Sequence, residues 1–62
     1  MTIDEMIEAI NEHYENTNSE TRYWIGDNNV IFVCHNALSD MDDIDEVSEE
    51  RVKKVYETIK TK

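Results

Sequence analysis

From Thr2 to Tyr14 the apolar residues Ile3, Met6, Ile7, Ile10 and Tyr14 return at intervals of three and four, the period that lines them up along one side of an α-helix. Thr2 and Glu5 stand at the start of that stripe in T-x-x-E spacing, a capping box in which each side chain satisfies a backbone N–H of the other residue. The pattern predicts a helix over 2–15. It gives way to ENTNSET (15–21), whose Asn, Ser and Thr side chains compete with a helical backbone for hydrogen bonds and so favour a loop.

The next segment, RYWIGDNNVIFVCH, sets two β-rich runs around Gly26-Asp27-Asn28-Asn29 and predicts an antiparallel hairpin with strands at 21–26 and 29–36. With Asp27 and Asn28 as the turn pair, Tyr23 falls opposite Phe32, Ile25 opposite Val30, and Trp24 opposite Ile31. One face then carries Tyr23, Ile25, Val30, Phe32 and Cys34. The other carries Trp24, Ile31 and Val33, with Arg22 and His35 at its end. Both faces are apolar, and a sheet buried on both sides needs a cover on each. Either the two helices divide between the faces or a second copy of the chain covers one. Trp24, Ile31 and Val33 are therefore the candidate dimer or partner interface, with the lone tryptophan as its anchor.

Leu38, Met41, Ile44 and Val47 recur every three residues, which predicts a short helical turn after Ser39; a third strand is the alternative over 39–47. Ser48 then serves as N-cap of a last helix, Val47 and Val52 as its hydrophobic staple, and Glu49 and Glu50 as acids in its positively polarised first turn. Val52, Val55, Tyr56 and Ile59 make its apolar stripe, and Lys53, Lys54, Lys60 and Lys62 lie toward its negative end. The expected fold class is α+β: one domain over 1–62 with a helix, an antiparallel hairpin and a C-terminal helix (αββα).

Length sharpens the dimer expectation, because a chain of 62 residues buries only about 60% of the surface its unfolded form exposes. Cys34 is the single cysteine, so no internal disulfide can compensate, and association with a second copy is the remaining common stabiliser. The opening MTIDEMIEAI has acids where a signal peptide carries positive charge, and no apolar run approaches the roughly 20 residues of a membrane span. A cytoplasmic, reduced protein is expected.

Charge selects among functions. Fifteen acids against six bases give a net charge of −9, which argues against direct contact with nucleic acid or anionic membranes and for a protein partner with a basic surface. Seven carboxylates crowd the eleven positions from Asp40 to Glu50. As a calcium loop starting at Asp40 the stretch fails, because Ile44, Asp45 and Arg51 stand where Asp or Asn, Gly and Glu are required. As a helix it would present one negative charge per roughly 2.4 Å of axis, against about 1.7 Å for duplex DNA; extended, it would present one per about 5 Å. Glu49 and Glu50 are explained by the helix start they occupy. The candidate partner-binding patch is therefore Asp40, Asp42, Asp43, Asp45 and Glu46.

Catalysis is not expected. Cys34 and His35 are neighbours in a strand and point to opposite faces, so they cannot form a thiolate and its base. No metal site and no cofactor is expected either. The expected function is a small acidic inhibitor that blocks a basic, nucleic-acid-handling surface, of the kind phage and mobile elements use against host enzymes and defence systems. The alternative is a structural or regulatory homodimer that docks a protein through an apolar sheet face, its acidity serving solubility alone.

Overall fold

The computed structural model describes residues 2–39 and 43–61. Helix α1 (Ile3–Asn16) leads into a three-stranded antiparallel meander of β1 (Arg22–Ile25), β2 (Ile31–Cys34) and β3 (Ile44–Val47), and helix α2 (Glu49–Lys60) follows. The architecture is α+β, with one strand more than a simple hairpin.

Both helices start where their caps place them. The Thr2 hydroxyl accepts from the backbone N–H of Glu5 at 3.2 Å while the Glu5 carboxylate accepts from the Thr2 N–H at 3.2 Å. Those bonds hold the Glu5 carboxyl below the usual carboxylate range. Ser48 accepts from the Arg51 N–H at 3.2 Å. Past α1, Asn18 adopts φ 61°, a left-handed turn that asparagine tolerates better than most residues.

The turn between β1 and β2 sits one residue later than expected. Asn28 and Asn29 have φ of 58° and 61°, the consecutive left-handed pair that a tight hairpin turn demands. The Val30 N–H closes that turn on the Asp27 carbonyl at 3.2 Å, and the Gly26 N–H reaches the Val30 carbonyl at 2.7 Å. Gly26 and Asp27 together thus face Val30, a one-residue bulge. The strands come out at 22–25 and 31–34, shorter than the expected 21–26 and 29–36, and the register is displaced: Ile25 pairs with Ile31, Trp24 with Phe32, Tyr23 with Val33 and Arg22 with Cys34.

A one-residue slip exchanges every side chain on a strand between faces. Tyr23, Ile31 and Val33, not Tyr23 and Phe32, meet Ile7 and Ile10 of α1 and Val52 of α2 in the buried core. Ile25, Val47, Val55, Tyr56 and Ile59 close its margins. Full burial contributes about 1.5–3 kcal/mol for a side chain such as Ile10, which is wholly enclosed. Both helices therefore cover the same side of the sheet.

Of the two alternatives over 39–47, a helical turn and a third strand, the strand is the one formed from Ile44 onward, where the chain is extended and pairs with β2. The reason is backbone accounting. Without β3, the N–H and C=O groups of Ile31 and Val33 that point away from β1 would have no partner. The three-residue apolar repeat that suggested a helix buries little: Leu38 is 71% exposed and Ile44 43%. Asp40, Met41 and Asp42 lie outside the described residues.

Candidate protein-binding surface

The sheet face turned away from the helices carries Trp24 and Phe32 side by side, their ring centroids 5.9 Å apart and both half-buried. Register puts Glu46 beside Phe32 on this face, and Arg22, Cys34 and Ile44 along the next row. Phe32 also explains Gly26, since a Cβ there would stand 2.6 Å from the Phe32 ring. Arg22 spends its guanidinium on the carbonyls of Ser19 and Thr21, both at 2.7 Å, so it is bound to its own loop. Cys34, fully enclosed, lies 3.3 Å from the Asn36 side-chain oxygen.

The expected interface of Trp24, Ile31 and Val33 is therefore divided. Trp24 stays on the open face, while Ile31 and Val33 are buried beneath the helices at 3% exposure each. The bulge at Gly26-Asp27 is the cause. Phe32, expected in the core with Tyr23, is the residue that joins Trp24 outside it. His35, expected at the end of a strand, lies beyond the end of β2 in the turn over 35–39.

The acidic patch divides too. Asp40 and Asp42 lie outside the described residues, and Asp43, Asp45 and Glu46 are exposed. Because β3 is extended, Asp45 shares the helix side with Val33, and Glu46 shares the open face with Phe32. Residues 43–46 present about one charge per 4–5 Å, which removes the duplex-like helical density from this stretch. A regular row of carboxylates exists elsewhere. Glu5, Glu8, Glu12 and Glu15 follow one another at spacings of three, four and three along α1, all exposed. Those spacings set a second stripe opposite the apolar one, and the acids of this helix are legible in the sequence as an addition to the run at 40–50.

The two edges of the sheet differ. On β1, the Asn11 side chain donates to the Tyr23 carbonyl and accepts from the Tyr23 N–H, both at 2.8 Å. An amide from α1 thus fills the place of a neighbouring strand. No comparable plug appears on β3 among the described residues. The cleft between the helices, lined by Tyr14, Arg51, Lys54, Val55, Thr58 and Ile59, holds about 220 Å³, below the ~300 Å³ at which small-molecule sites usually begin.

Fold and surface together define a two-layer α+β domain with both helices on one side of the sheet, two half-buried aromatics on the other, and an acidic edge along β3 that no further strand covers among the described residues. Family models, curated proteins and solved structures give no match to this chain. Among the described residues, no helix is long and apolar enough to cross a membrane.

Proposed function

We propose that the chain is a small non-catalytic binding protein that occupies a basic, nucleic-acid-handling surface of another macromolecule and blocks it, as the inhibitors of phage and mobile elements do. One observation carries this function: of the thirteen described carboxylates only that of Glu20 is even half-buried. The negative charge is thus a surface property, spread over α1, β3 and the start of α2, and no Lys or Arg occurs between Arg22 and Arg51. A surface of this kind steers toward positive partners and repels nucleic acid.

The test is capture of partners from the native host at low salt and at high salt, with Asp43, Asp45 and Glu46 reversed to Lys in parallel. A captured protein should bind nucleic acid, lose that binding when this chain is added, and be released as salt screens the contact. Capture that survives both salt and charge reversal would contradict the function.

A second function is favoured by a different observation, the pairing of Trp24 with Phe32, both half-buried, on the sheet face turned away from the helices. Under it the chain is a structural or regulatory homodimer joined through the open sheet face. Light scattering at high concentration decides this: a dimer that Trp24→Ala splits supports it, and a persistent monomer removes it.

A further inference from the structure

We propose that β3 receives an extended basic segment of the partner by strand addition, joined main chain to main chain at Ile44 and Glu46. This inference rests on the acidic-binder function proposed above and specifies how the partner is held.

The orientation of the edge follows from Asn11. Both hydrogen-bonding groups of Tyr23 point at the Asn11 amide, hence away from β2. Orientation alternates along each antiparallel strand. Val33, paired with Tyr23, therefore turns its N–H and C=O toward β3, where Asp45 meets them. Ile44 and Glu46 on either side of Asp45 must then point their N–H and C=O groups outward. Two donors and two acceptors stand along this edge, in the arrangement that added strands use for affinity, with side-chain pockets supplying selectivity. The other edge is closed at its centre by Asn11.

Charge complementarity identifies the occupant. Asp43, Asp45 and Glu46 line the edge, and Ile44 adds exposed apolar surface between them. A second copy laid antiparallel on β3 would bring carboxylates opposite carboxylates, which destabilises a pair of strands. A segment alternating Lys or Arg with apolar residues instead sets its bases beside Asp43 and Asp45 on the helix side and its apolar side chains beside Ile44 on the other.

The experiment uses the full chain and a blocked synthetic peptide alternating Lys and Val, with amide hydrogen exchange followed residue by residue. Exchange at Ile44 and Glu46 should slow by about tenfold or more on peptide addition, while Asp45 and Val47, already bonded to β2, change little. Glu46→Pro removes one outward N–H at an edge position where proline is tolerated. It should weaken the peptide about tenfold beyond Glu46→Gln, which removes only the charge. Salt-sensitive binding that leaves both amides unprotected overturns strand addition and leaves the acidic-binder function standing. Absence of peptide binding at low salt overturns both. Protection that rises with protein concentration alone assigns the edge to a second copy and also overturns the proposal. The exchange measurement on the unsubstituted chain decides the matter even if Glu46→Pro fails to fold.

Discussion

Asn11 holds Tyr23 by both of its backbone groups, with two bonds of 2.8 Å between a helix side chain and a strand. One amide thereby fixes the distance and angle of α1 over β1. Asn11→Ala leaves a partly buried N–H and C=O unpaired, at a cost of about 1–3 kcal/mol. The midpoint of urea unfolding should fall accordingly. Asn11→Asp should do no better, because a carboxylate has no hydrogen to offer the Tyr23 carbonyl.

Register can be tested by polarity. Val33 is 3% exposed among Ile7, Ile10 and Val52, so Val33→Asn buries an amide without a partner. That cost is about 1–3 kcal/mol before lost packing is added, severe for a chain of this size. Phe32→Asn places the same amide on the open face and should leave the chain folded by circular dichroism. The reverse pattern would restore the register in which Phe32 faces the helices.

Gly26→Ala forces its methyl group against the Phe32 ring. The ring must swing away from the backbone, and Trp24, packed beside it, should report the movement through its fluorescence. A stability loss of about 1–3 kcal/mol is expected for such overpacking.

The tyrosine pair gives an alkaline limit. Burial raises the ionisation of Tyr23 above its usual range, and neighbouring Tyr14 adds to the effect while Arg51 opposes it. The folded state thus favours the neutral phenol more than the unfolded chain does. Its contribution is complete below the ordinary value of 10.0 and is lost as pH rises from there through the folded-state value. Thermal melts should be level in this contribution up to about pH 9 and decline above it. Tyr23→Phe should flatten the decline.

Salt should act in opposite directions on stability and on binding. With a net charge of −9, self-repulsion weakens the compact state. Raising ionic strength from about 0.01 M to 0.15 M shortens the screening length from about 30 Å to 8 Å. The melting temperature should rise over that range while affinity for a basic partner falls.

Much of the fold was legible because it is governed by local periodicity and capping. The stripe through Ile3, Ile7 and Ile10, the box of Thr2 and Glu5, and the Ser48 cap all work within one or two helical turns, and each formed as its spacing implied. The sheet was less legible. Both strands of the hairpin are apolar on both faces, so hydrophobic pattern could not choose between registers differing by one residue, and the choice passed to a bulge at Gly26 and Asp27. That single ambiguity moved Phe32 and Val33 to opposite sides and divided the expected interface. The third strand, one of two alternatives over 39–47, could not be chosen over a helical turn for another reason. Its formation answers the unpaired backbone of Ile31 and Val33, a demand made from elsewhere in the chain, and Ile44-Asp45-Glu46-Val47 carries little strand signal of its own. Asn11 gave no signal beyond being a polar residue on a helix, because its role depends on where Tyr23 comes to lie.

The enclosed thiol of Cys34 makes the molecule its own chemical clock. A sulfur with 0% exposure at the end of the central strand meets a dissolved disulfide reagent only when the chain packed around it moves aside. The rate at which the native chain consumes such a reagent therefore counts those openings, one cysteine per molecule, with no label to introduce. A ligand gripping the outer strand would slow that clock, and one resting on the outer side of α1 would leave it running.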